Sequence, residues 1–133
     1  MTTELALIAA LRALAGTPEA RGLMDDAAVL EIGGEKLVLT LDTMVESVHF
    51  LPGDPPEDIA WKLVAVNASD VSAKGAEPLG VLVSHMLGDG DEHFVAGLDD
   101  VLESYDVPLF GGDTISAEGR RAWGCTAIGR ATS

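Results

Sequence analysis

Cysteine is nearly absent from the 133 residues: Cys125 stands alone. One cysteine allows neither a disulfide framework nor a thiolate zinc site within the chain, and a reducing, cytoplasmic setting fits. Bases are scarce as well. Eight Lys and Arg face 22 Asp and Glu, a formal net charge of -14, which repels a phosphate backbone and argues against a nucleic-acid partner. The same excess of acid suits divalent cations, although plain solubility explains the exposed acids better. No uninterrupted apolar run reaches membrane-spanning length. The N-terminus has Glu4 where a secretory signal needs positive charge, so neither export nor membrane association is expected. What is plentiful is apolar side chain, 47% of the residues. That suffices for one globular domain, residues 1–133, with a sizeable core.

Hydrophobic spacing then sets out the elements. Leu5, Ile8, Leu11 and Ala15 recur at helical spacing within Thr3 to Ala15, and Gly16-Thr17-Pro18 ends that helix. Ala27 to Ile32 predicts a strand, Gly33-Gly34 a hairpin turn, and Lys36 to Asp42 a second strand, antiparallel to the first. Asp54-Pro55-Pro56-Glu57 combines an N-cap, a proline at the first helical position and an acid three residues on. The helix it opens runs to Lys74 and closes near Gly75 and Pro78. Leu79 to Leu87 is a third strand, Glu92 to Tyr105 another helix, Val107 to Phe110 a short strand and Arg121 to Arg130 the last. Hairpins mixed with crossovers predict an α+β fold, a mixed sheet with helices packed on one face.

Four aspartates break this pattern. Asp42 ends a strand-like run, where it either caps a turn or faces a ligand beyond the strand. Asp26 precedes a strand, and Asp113 follows one through Gly111-Gly112, where glycine lets backbone approach a ligand closely. Asp70 falls on the apolar stripe of Ile59, Leu63 and Val66. A carboxylate there needs a partner: an ion pair with Lys74, an exit from the core, or a cation. Carboxylates without a histidine or cysteine cluster form an all-oxygen set suited to Mg²⁺ rather than zinc. Hard cations held this way usually also hold phosphates. No Walker A or dinucleotide-binding glycine pattern is present, so a nucleotide would be held through metal bridges.

The blocks that carry these acids also carry a resemblance. Gly22-Leu23-Met24-Asp25-Asp26-Ala27-Ala28-Val29-Leu30, Thr40-Leu41-Asp42-Thr43-Met44-Val45-Glu46-Ser47-Val48-His49-Phe50, Trp61-Lys62-Leu63-Val64-Ala65-Val66-Asn67-Ala68-Ser69-Asp70 and Leu109-Phe110-Gly111-Gly112-Asp113-Thr114 together resemble the amino-terminal domain of the thiamine-monophosphate kinase family. The wider superfamily includes aminoimidazole ribonucleotide synthetase. The resemblance implies transfer of the ATP γ-phosphoryl group to thiamine monophosphate. It implies Mg²⁺ ligation by Asp26, Asp42, Asp70 and Asp113, with Thr40 and the Leu41 backbone assisting. It further implies nucleotide contact at Gly112 and Asp113 and substrate contact at His49, whose plainer reading is a loop histidine packed beside Phe50. No general base is assigned, since phosphoryl transfer rests on positioning and charge neutralisation.

Two departures are visible: Met24 replaces a usual glycine, and the stretch from Glu92 to Leu109 is a few residues short. The family carries a second, carboxyl-terminal domain, and the resemblance implies that turnover depends on it. Amino-terminal domains of this family pair across their sheets, so a homodimer is expected through the apolar strand Leu79 to Met86. Two alternatives stay open, a dimerising nucleotide-binding module without catalysis and another ATP-using member of the superfamily.

Overall fold

A computed structural model describes residues 3–18, 20 and 27–132. Its elements are α1 (Glu4–Leu14), β1 (Ala27–Ile32), β2 (Glu35–Val45), α2 (Pro56–Ala73), β3 (Ala76–Met86), α3 (Asp91–Tyr105), β4 (Leu109–Ile115) and β5 (Ala122–Ala131). The order is the one the hydrophobic pattern predicts. Gly33 and Gly34 both adopt positive φ, 59° and 84°, the turn geometry that joins β1 and β2 as a tight antiparallel hairpin with Ile32 opposite Glu35.

The strands form one mixed sheet in the order β1-β2-β5-β3-β4. β5, last in the chain, lies between β2 and β3 and is antiparallel to both, while β4 runs parallel to β3. The expected α+β architecture is therefore present. α2 packs on β2, β5 and β3, and α3 packs on α2. Between them lies the core, including Leu63, Val64, Val71, Val81, Phe94 and Val101, all 2% exposed or less. α1 is capped, with the Thr3 hydroxyl accepting from Ala6 N–H at 3.1 Å, yet none of its residues is buried. Its apolar spacing meets no covering surface among the described residues. Nor is any described helix long and apolar enough to cross a membrane.

Three differences from the sequence expectation bear on a candidate site residue or its neighbourhood. β2 continues to Val45, so Asp42 sits inside the strand rather than at its end, held there by pairing to Cys125. β4 includes the glycines and Asp113, which pairs with Ser84, where the sequence suggested a strand stopping at Phe110. Neighbouring strands carry both past the expected stops, because a ladder supplies backbone partners that local propensity does not register. Asp54 does not cap α2; Pro55 holds the cap position without a side-chain bond, and the Asp54 carboxylate accepts from Leu51 N–H at 2.8 Å within the loop.

The helices approach closely at Gly97 of α3, where a Cβ would lie 2.5 Å from Glu57 backbone atoms of α2. Alanine there gains helix propensity of at most about 1 kcal/mol but overpacks a backbone contact, which costs about 1–3 kcal/mol. We expect Gly97→Ala to be destabilising, as a lower urea midpoint; a midpoint at or above the parent's would mean the helices shift apart freely.

Candidate functional site

Side chains alternate across the sheet, so cross-strand rows fix which residues share a face. Asp42, Cys125 and Val83 form one row, on the helix-covered face. In the next row, Thr43, Gly124, Ser84 and Asp113 look onto the face without helices. Asp42 and Asp113 are thus separated by β5 and β3, roughly 14 Å at the usual strand spacing. They do not share a single site within one chain.

Asp42 is half-buried and lines a pocket of about 120 Å³ with His49, Lys62 and Asn67, between β2 and α2. Beneath it, two residues along β2, Thr40 is 4% exposed and its hydroxyl donates to Asn67 Oδ1 at 3.4 Å. The Asn67 amide in turn donates to the Leu63 carbonyl at 2.7 Å. This buried polar pair is satisfied, as an apolar surround requires. Leu41 points to the opposite face, 68% exposed. Pairing with β1 ends at Ala27–Thr40, so from Leu41 onward that edge of β2 has no strand beside it among the described residues. Burial, and then the charge of Asp42, push the Cys125 thiol up to about 12, which leaves it inert as a nucleophile at neutral pH.

After β2 the chain turns tightly through Glu46–Phe50, with Ser47 at φ 70°. Phe50 is buried and packs on Trp123, ring centroids 5.3 Å apart. His49 is exposed instead, so the packed-histidine reading does not hold. Its Nδ1 accepts from Val45 N–H at 2.9 Å and its carbonyl accepts from Lys62 Nζ at 2.9 Å.

Asp70 lies beside, not on, the buried stripe of α2, which runs through Ile59, Leu63, Asn67 and Val71, while Val66 is 42% exposed. The stripe is rotated toward Asn67, which is fully buried with its side chain satisfied by Thr40 and the Leu63 carbonyl. No ion pair joins Asp70 to Lys74 among the described residues. Asp26 lies outside the described residues. Among the residues described, no three acids, histidines or cysteines stand close enough together to hold a metal ion by themselves.

Gly112 and Asp113 border a groove of about 500 Å³ between β4 and α3, floored by His85, Phe94 and Leu98. His85, Asp91 and Phe94 of its lining belong to a cluster that the sequence did not disclose, because the partners come from three separate stretches. Trp123 Nε1–H donates to His85 Nδ1 at 2.7 Å, which places the neutral ring's proton on Nε2, 2.8 Å from Asp91 Oδ1. Arg121 reaches the same carboxylate at 3.2 Å and the Met86 carbonyl at 2.6 Å, and lies 4.7 Å over the Trp123 ring. Phe94 stacks on Trp123 at 5.3 Å. The cluster pins the first turn of α3 to β3 and β5.

Against this geometry stand the comparisons. The family described as AIR synthase related protein, N-terminal domain, matches residues 24–131. The chain belongs to that family. Thiamine-monophosphate kinase of Haemophilus influenzae is 42% identical over 106 residues, 69% of this chain and 32% of that protein. The Caulobacter vibrioides protein of the same name is 39% identical over 120 residues, 86% of this chain and 34% of its own length. This chain therefore spans about a third of these relatives. A solved structure described as AaThiL complexed with AMPPCP and TMP superimposes with a TM-score of 0.86 at 30% identity, covering 98% of this chain and 44% of that one. HypE in complex with ATP superimposes with a TM-score of 0.63 at 26% identity, covering 94% and 41%.

The Asp91 cluster contributes to the acid dependence of stability. Burial alone would raise the Asp91 carboxyl, but the Gly88 amide, the His85 ring and Arg121 outweigh it and hold it below its ordinary value. A lowered native value stabilises the fold above the unfolded carboxyl's pKa of about 3.9 and is lost as pH falls through the native one. We expect Asp91→Asn to reduce stability at neutral pH and to flatten its acid fall below about pH 4. Urea melts at pH 7 and in that acid range check it; an unchanged acid slope in the variant would place the titration elsewhere.

Proposed function

We propose that this chain is the nucleotide- and metal-binding part of a thiamine-monophosphate kinase, which transfers the ATP γ-phosphoryl group to thiamine monophosphate in the cytoplasm. The observation that carries the proposal is an identity of about 40% to proteins of that name, over a fold shared with a structure that holds an ATP analogue and TMP. In this reading the groove beside Gly112 and Asp113 takes the nucleotide, and the pocket of Asp42 and His49 takes the phosphate-bearing substrate.

The donors offered to metal are all oxygens: the carboxylates of Asp42, Asp70 and Asp113, with Asp26 as a further candidate, the Thr40 hydroxyl and the Leu41 backbone. That chemistry fits Mg²⁺. The scatter of these acids fits it too, because Mg²⁺ is commonly held by one or two carboxylates plus substrate phosphates rather than by an all-protein cage. Bound there, the ion would neutralise phosphate charge, which lets an acidic protein take two anionic substrates.

We further propose that two copies pair through the sheet face without helices. That face exposes Leu41 (68%), Phe110 (55%) and Ile115 (44%), an apolar surface that a partner would bury. Sedimentation at micromolar concentration should give a species of twice 13.8 kDa; only the 13.8 kDa species would exclude the pairing.

Thermal melts test the site. Mg²⁺ with a non-hydrolysable ATP analogue, at a hundred times the dissociation constant, should stabilise the fold by about 2.7 kcal/mol. Asp42→Asn and Asp113→Asn should each reduce that rise, whereas an equal rise in both variants would locate the ions elsewhere.

A further inference from the structure

We infer that Lys62 is the residue that recognises the phosphate of the acceptor substrate, and so distinguishes a phosphate monoester from the free alcohol. The inference rests on the reading of the Asp42–His49 pocket as the acceptor side of the site. Lys62 lies in the second turn of α2 and is the basic side chain lining that pocket, beside Asp42 and His49. A phosphate dianion approaching Asp42 in a chain of net charge -14 meets repulsion unless a cation stands close by. No other Lys or Arg of the described residues lines that pocket; Lys36, for example, pairs with Glu31 at the β1–β2 hairpin, and Arg121 is bound to Asp91 and to the Met86 and Asp89 carbonyls.

The hydrogen bonds leave donors on both Lys62 and His49 that an anion could accept from. An ammonium group has three donors, and Lys62 commits one, at 2.9 Å, to the His49 carbonyl. That contact ties the ammonium to the loop without neutralising it. The Val45 amide donates to His49 Nδ1, so the proton of the neutral ring is on Nε2, a further donor on the same loop. The remaining Lys62 donors and the His49 Nε2–H are the groups a phosphate monoester accepts from. An uncharged hydroxymethyl group gains little from an ammonium. Discrimination would therefore come from charge-assisted hydrogen bonds, the strong class.

Calorimetric titration of thiamine monophosphate and of thiamine into the whole chain, with Mg²⁺ and a non-hydrolysable ATP analogue present, tests this in the parent, Lys62→Met and Lys62→Arg. The parent should bind the phosphate ester more tightly than thiamine. Lys62→Met should weaken the ester by roughly tenfold or more, the scale of one charge-assisted hydrogen bond, while thiamine and the nucleotide analogue bind as in the parent. Lys62→Arg should restore part of the preference, since it keeps the charge. Unchanged discrimination in Lys62→Met overturns the inference. Equal loss of ester, thiamine and nucleotide binding also overturns it, because Lys62 would then only hold the His49 loop. A parent that binds the nucleotide analogue but does not prefer the ester removes the acceptor-pocket reading itself, and the inference with it.

Discussion

The insertion of β5 between β2 and β3 is the constraint on which the rest of the structure depends. Without it the chain would hold a hairpin of β1 and β2 and a separate parallel pair of β3 and β4. β5 joins them and aligns Asp42 with Cys125, and Ser84 with Gly124. Its small residues make room for α2: Ala127 is fully buried, and a Cβ on Gly129 would collide with the Val71 side chain. α2 therefore settles close to the sheet and places Asn67 under Thr40. Pairings between residues some eighty positions apart carry a high loop-closure cost, which burial of this shared core must offset.

Charge follows from the same framework. With 22 acids against 8 bases, the position of each base matters more than usual. Arg121 is drawn into the end of the sheet, where it offsets Asp91 and covers the Trp123 ring. Lys62 instead stays exposed beside Asp42, with its contact to a loop carbonyl. Arg121 is consumed by structure, whereas Lys62 keeps ammonium donors beyond its one loop contact. The two faces of the sheet differ in the same manner: one is covered by α2 over the buried core, and the other leaves Leu41, Phe110 and Ile115 uncovered.

Much of the fold was legible in the residues. The β1–β2 hairpin could be read because Gly33-Gly34 encodes its turn locally, and α2 and α3 because their apolar spacing is helical. The strand-turn block singled out Asp42, the family resemblance of the same block implied His49, and the structure puts the two in one pocket. The exact extent of β2 and β4 was not legible, since Val45 and Asp113 are held in strands by neighbours from distant sequence. Nor was the face of Asp70 on α2, because the burial of Asn67 depends on Thr40 across the core.

The sequence by itself determined the elements, their order, which acids are on offer as oxygen donors and the family blocks, because propensity, turn chemistry and hydrophobic period act over a few residues. Only the tertiary structure decided which of those acids stand together. It set Asp42 and Asp113 on opposite faces, brought Lys62 to His49 and assembled the His85–Asp91–Arg121–Trp123 cluster from three stretches. These are matters of strand order and helix rotation, which side-chain packing across the whole core fixes and no local stretch encodes.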